Sequence, residues 1–179
     1  MAMIPRVAKF YDRLAEQKAQ FLGTLEGFSA EQLSFRIKPD AWNVVQVGHH
    51  VVLAEQGTAD SIKQHRGIRS GKRRLHHRLG YLLLWGVLKT GLRVKNPVPA
   101  AAPDADIDLG RLEQLWDKAR GDLGEVLSEV KERGLQYAAF KHPVGGPFTV
   151  EDSLEFLVAH LDHHLRQIER IRRNPSFPP

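Results

Sequence analysis

The chain contains no cysteine among its 179 residues. That excludes a disulfide framework, a thiolate zinc site and a thiol nucleophile, so any metal has to be held by histidine, aspartate or glutamate. Long apolar runs are also missing. The longest, LGYLLLWGVLKTGL over residues 79–92, contains Lys89 and falls short of the roughly 20 apolar residues a membrane span requires; it reads as a buried or interfacial helix. The N-terminal MAMIPRVAKFYDRLAEQ lacks the basic, apolar, small-residue layout of a secretion signal, and together with the missing cysteines this gives a cytoplasmic expectation. No run alternates as a convincing strand does, and there is no internal repeat or low-complexity tract.

Acidic residues are missing from one stretch. Residues 61–103 hold none, yet they carry ten cations: Lys63, Arg66, Arg69, Lys72, Arg73, Arg74, Arg78, Lys89, Arg93 and Lys95. The formal charge of +5 therefore belongs to this segment, and the rest of the chain is net negative by five. Such a segment is either a solvated excursion between helices or a face for an anionic partner: nucleic acid, a phosphate-bearing membrane surface or an acidic small molecule. No aromatic-interleaved or helix-turn-helix pattern specifies nucleic acid.

What is present is the composition of an ordinary globular domain, 42% apolar and 26% charged, and the length suits one domain over residues 1–179. Apolar spacing predicts helices nearly throughout. Pro5 suits a first helical position, and Val7, Phe10, Tyr11, Leu14 and Phe21 continue a stripe to about residue 22. Ser29 and Gln32 stand at capping-box spacing for a single turn. Asp40 is expected to cap a second long helix ending near His65, followed by an extra helix over 80–90 and an extended, proline-rich connection. A third helix restarts at Asp106 or Asp108 and ends at Gly134 in a left-handed cap. The stretch KHPVGGPF is expected as a loop, and Thr149 with Asp152 opens a fourth helix that Arg172, Arg173, Asn174 and Pro175 close. The predicted fold is all-α, a bundle of four principal helices with a basic insertion and connection, residues 61–105, after the second.

Nine histidines are present, and helical angle sorts the clustered ones. At about 100° per residue, His164 lies about 40° from His160 and Gln167 about 20° to its other side, bordering the Leu157, Leu161, Leu165 and Ile168 stripe. His163 turns towards Arg166 and Arg170. On the second helix His50 borders the stripe of Val47, Val51, Ala54 and Thr58, and His49 falls off it. His50, His160 and His164 are therefore expected to share the bundle interior, with His49 and His163 as surface or supporting groups. Imidazoles at i and i+4 can reach one ion, and a third from a facing helix completes a platform with open positions for water or substrate. An isolated His-x-x-x-His is common on helix surfaces, so geometry alone leaves metal binding and plain surface histidines both open. Leu161 stands where the zinc-protease pattern needs glutamate, which disfavours a peptidase. Gln167 either orients a ligand or bonds within the bundle. His142 sits in a loop where it meets substrate or only water, and Asp162 reads as a surface charge. Trp42, Trp85 and Trp116 occupy apolar positions, where core packing is the ordinary role.

Three segments resemble the DinB-like, damage-inducible superfamily: PDAWNVVQVGHHVVLAEQ, with His50 eight positions after Trp42; LEQLWDKARGDLGEVL, with Trp116 and Arg120; and HPVGGPFTVEDSLEFLVAHLDHHLRQIERI, with a His-Pro-x-x-Gly loop before His-x-x-x-His and Gln. The resemblance implies a four-helix bundle with a divalent metal on His50, His160 and His164. It also implies relatives that are thiol S-transferases using low-molecular-weight thiols such as bacillithiol or mycothiol, maleylpyruvate isomerase, and proteins classed as hydrolases. The expectation is a metal-dependent protein, with zinc, nickel, iron or manganese, that activates a thiol or water towards a small-molecule substrate, and that can form a homodimer through an exposed helix face or the apolar segment 79–92. The alternative is a non-catalytic, metal-stabilised bundle whose basic segment binds a partner, membrane surface or nucleic acid.

Overall fold

A computed structural model describes residues 3–65, 75–90, 101–142 and 145–179. Arg66, Arg69, Lys72, Arg73, Arg74, Arg93 and Lys95 of the basic segment, residues 96–100 of the connection, and Pro143 and Val144 lie outside them. Six helices are described, α1 (Pro5–Glu26), α2 (Ala30–Ser34), α3 (Val44–Gln64), α4 (Leu75–Thr90), α5 (Leu109–Ser128) and α6 (Val150–Arg172), with a hairpin of β1 (Ala138–His142) and β2 (Gly146–Thr149) before α6. The four long helices α1, α3, α5 and α6 form a four-helix bundle. Each packs mainly on two neighbours, α3 on α5 and α6, and α1 on α6 and α5.

Local chemistry sets the boundaries. Ser29, Asn43 and Thr149 each close a capping box with a residue three positions on, satisfying amide groups that would otherwise end the helix unpaired. The cap of α3 is thus Asn43 rather than Asp40: the KPDAW stretch forms a turn, and the side chain that reaches the Gln46 amide belongs to Asn43. Asp108 caps α5. That helix stops at Ser128, short of Gly134, which instead ends a 3-10 turn over Glu132–Gly134; the only left-handed residue described is Gly146, φ 76°.

The hairpin departs from the expected loop. Phe140 pairs with Phe148 and His142 with Gly146, with an irregularity between Ala138 and Phe140. Pro147 is tolerated because a two-stranded ribbon consists of edges, where a missing N–H costs no ladder bond. Strands of five and four residues are too short to show a period.

The core is a cluster around the fully buried Trp116, Phe21, Leu14, Leu25, Leu112, Leu123 and Leu154. Fully burying one such side chain stabilises by about 1.5–3 kcal/mol. Gly48 permits the close approach of α3: a β-carbon there would meet Leu112 Cδ2 at 2.7 Å and Phe21 Cε1 at 3.0 Å. This glycine directly precedes His49 and His50, so it also sets how deep the histidine-bearing helix sits.

Candidate metal centre

His50 on α3 and His160 and His164 on α6 bring ring nitrogens together inside the bundle, with ligand atoms within 4.8 Å of one another. His160 Nε2 lies 3.1 Å from His50 Nε2 and 3.0 Å from His164 Nε2. Two nitrogens bound to one ion at about 2.0–2.1 Å each can be at most about 4.1 Å apart, so these separations pass the first test of a shared site.

The outer hydrogen bonds supply the second test. His50 donates its Nδ1–H to the Ala101 carbonyl at 2.7 Å, since a carbonyl can only accept. His164 donates Nδ1–H to Gln167 Oε1 at 2.8 Å. Both rings therefore direct an unprotonated Nε2 inward, the tautomer a metal needs. His160 Nδ1 is buried with no hydrogen-bond partner. A His160 Nε2–H can serve only one of the two facing lone pairs well. The donor set is thus unbalanced by itself and fits a cation at its centre.

Burial gives the three rings the protonation state that ligation requires. Desolvation pushes His160 and His164 well below the usual histidine range, with repulsion among the clustered imidazoles acting in the same direction. His50 is lowered mainly by burial, opposed in part by its bond to Ala101. All three are neutral at pH 7. Around them, Trp42 packs on His50 at 5.1 Å between ring centres, and Phe156 stacks on His160 at 5.1 Å, so Trp42 lines the centre as well as packing.

His49 and His163 share the burial but not the convergence. Both are buried rather than on the surface. His49 is covered by the segment before α5, where its Nδ1 accepts the Asp104 amide. His163 lies under α4 beside the backbone of Val87 and Leu88, its Nδ1 is buried without a hydrogen-bond partner, and its ring meets that of His164 edge-on at 5.1 Å. A wheel drawn for one helix cannot register a cover contributed by another segment.

His142 stands in β1 and is packed rather than water-satisfied. Its ring stacks on Phe148 at 5.4 Å and meets Phe156 at 5.2 Å, and its Nδ1 accepts the Gly145 amide. Burial lowers its pKa to about 4. Phe156 thereby touches both His142 and His160. Asp162 accepts from Gln17 Nε2 and lies 3.6 Å from Arg13, away from the three rings. A groove of about 380 Å³ between α1, α4 and α6, lined by Phe10, Trp85, Glu155, Asp162 and Arg166, includes none of the three histidines.

A second buried polar cluster was not anticipated. Glu55 on α3 is 1% exposed and takes a two-pronged ion pair from Arg120, Nε at 2.5 Å and Nη2 at 3.0 Å, plus Trp116 Nε1–H at 3.2 Å. One signal was available: Glu55 is an acid beside the apolar stripe of α3, and Arg120 follows Trp116 by four residues on the buried face of α5.

The chain resembles the crystal structure of TT2238, a four-helix bundle protein, with a TM-score of 0.61 at 21% identity, covering 91% of this chain and 98% of that one. No curated protein matches it. The sequence matches the DinB superfamily over residues 13–168, most of the chain and all three convergent histidines. The protein is a member of the DinB superfamily.

Proposed function

We propose that the protein is a divalent-metal-dependent enzyme in which His50, His160 and His164 are the protein ligands, acting on a small-molecule electrophile by thiol transfer or hydrolysis. The observation that carries this is the meeting of three Nε2 atoms, two of them fixed as lone pairs by Ala101 and Gln167. A bound zinc, nickel, iron or manganese ion would supply Lewis-acid activation of a low-molecular-weight thiol or a water. The chain's own contributions are separate. The Ala101 carbonyl and Gln167 hold two rings in the ligating tautomer, burial keeps all three neutral, and Trp42 and Phe156 wall the centre with apolar surface that limits water. Three neutral ligands leave the ion's full charge available for activation.

Metal analysis of protein purified without an affinity tag tests the ligand set. Wild type is expected to carry about one ion per chain, and His50→Ala and His160→Ala to carry little; full metal in both variants overturns the assignment. Turnover that requires a thiol or water and disappears in His164→Ala supports the enzyme. Stoichiometric metal that raises the melting temperature without turnover across thiol-transfer and hydrolytic substrates supports a structural ion.

A further inference from the structure

Helix α4 has two apolar faces, and the bundle uses one. Facing inward, Leu88 is buried, Tyr81 packs on Phe148 at 5.6 Å, and Arg166 bonds the Leu88 carbonyl. Facing outward, Leu79 is 56% exposed and Leu82 and Leu83 are each 67% exposed, the large hydrophobic residues most open to solvent among those described. The three leucines share one helical face with Gly86, at which a β-carbon would meet nothing within 4 Å. Nothing in the described chain covers that face.

We propose that this face docks on an anionic lipid bilayer, the leucines entering the acyl boundary and the exposed Lys89 of the same helix standing at the level of the headgroup phosphates. Charge complementarity selects this occupant. Across residues 61–103 the chain has ten cations and no acid, and these residues immediately precede, form and follow α4. Interfacial helices combine these two features, apolar side chains on one face and a basic surround, and each cation near an anionic surface adds to the attraction. A second copy of the chain fits poorly: it would set one ten-cation segment against another, and three leucines fall well short of the about 800 Å² per partner that a stable interface buries. Nucleic acid would use the cations but leave the leucines without a role. At 16 residues α4 is suited to lying on a bilayer, and no helix among the described residues is long and apolar enough to cross one.

Flotation of the full chain with vesicles tests the proposal, using phosphatidylcholine alone and phosphatidylcholine mixed with an equal part of phosphatidylglycerol. Wild type is expected to float with the anionic vesicles only, and less so as salt rises. The Leu82→Gln/Leu83→Gln variant is expected to bind these vesicles at least about ten-fold more weakly with its thermal unfolding unchanged, because both side chains are already in solvent. Gly86→Leu extends the face into open space and is expected to strengthen binding by about three-fold or more. Three outcomes overturn the proposal: wild type that stays with the sedimented fraction, glutamine and leucine variants that float as wild type does, or a solution dimer that the glutamine pair dissociates. DNA binding that survives the glutamine pair, without flotation, reassigns the cations to nucleic acid.

Discussion

Among the buried polar side chains of helix α3, His50 and Glu55 stand five residues apart and end in opposite situations. Glu55 meets groups of complementary kind: a guanidinium offering two parallel N–H bonds and an indole N–H, so that one carboxylate is satisfied inside the protein. His50 meets groups of its own kind. Three imidazoles turn nitrogens towards one another at 3.0–3.1 Å, two of them as fixed lone pairs, and a third ring keeps a buried nitrogen without a partner. The Glu55 cluster satisfies its carboxylate and ties α3 to α5, although Arg120 Nη1 stays buried there without a hydrogen-bond partner. A cluster whose members cannot satisfy each other is built around something added. Burial alone does not distinguish them, since both lie in the same interior; the match between donors and acceptors does.

The sharpest way to break this contrast is Glu55→Ala. It leaves the Arg120 guanidinium buried without its carboxylate, a loss expected to cost about 3–5 kcal/mol in denaturant unfolding. Metal content per folded molecule is expected to be unchanged. A matching loss of metal would show that the two clusters are one coupled unit.

Next in size is a pH effect at His142, a buried histidine outside the convergent three. Its folded pKa, about 4, lies below the ordinary 6.5. As pH falls through 6.5 the unfolded chain takes up a proton that the folded chain refuses until about 4. Stability contributed by this ring is therefore complete above 6.5 and is lost between 6.5 and 4, by roughly 3 kcal/mol for such a shift. His142→Phe, which preserves a ring against Phe148 and Phe156, is expected to flatten that part of the stability against pH curve. His160 and His164 are shifted in the same direction, so part of the slope should remain. An unchanged slope would count against His142 as a contributor.

Gln167→Ala sharpens the comparison from the other side. Gln167 fixes the His164 tautomer without belonging to the convergent set. Its loss is expected to weaken metal binding by about 10–100-fold in chelator competition, as removal of outer hydrogen bonds to ligating histidines does. The unfolding midpoint of the metal-free chain should move little, since Gln167 lies at the half-buried edge of α6. A large stability loss with unchanged affinity would make it a bundle residue instead.

The convergent histidines were legible in the sequence because they depend on angles within two regular helices. Apolar stripes on α3 and α6 already said which way His50, His160 and His164 turn. The burial of His49 and His163 was not legible, because it depends on covers supplied from Asp104 and from α4, and tertiary placement has no local signature. The same reason hid the Glu55 cluster, whose partner Arg120 lies 65 positions away. The hairpin escaped because its pairing resides in a register between very short strands. Where local chemistry decides, as with Ser29 and Gln32 or Thr149 and Asp152, the expected caps are the observed ones.

The start of α3 is a boundary at which two equally good capping residues compete, as Asp106 and Asp108 do before α5, and it yields the smallest of the expected effects. Asp40 and Asn43 are both residues that cap helices well, and propensity does not choose between them. The geometry does: Asn43 Oδ1 accepts the Gln46 amide at 2.9 Å while Gln46 Oε1 takes the Asn43 amide at 3.2 Å, and Gln46 Nε2 reaches on to the Asp104 carbonyl. Asn43→Ala is thus expected to lower stability by about 1 kcal/mol, and Asp40→Ala, at an exposed turn, by less than about 0.5 kcal/mol. Because His50 and Glu55 both lie downstream on the same helix, a frayed first turn should draw on both clusters equally. Metal affinity that falls out of proportion to stability in Asn43→Ala would mean that the histidine centre, unlike the ion pair, depends on how the helix enters the bundle, through the same Asp104 segment that covers His49.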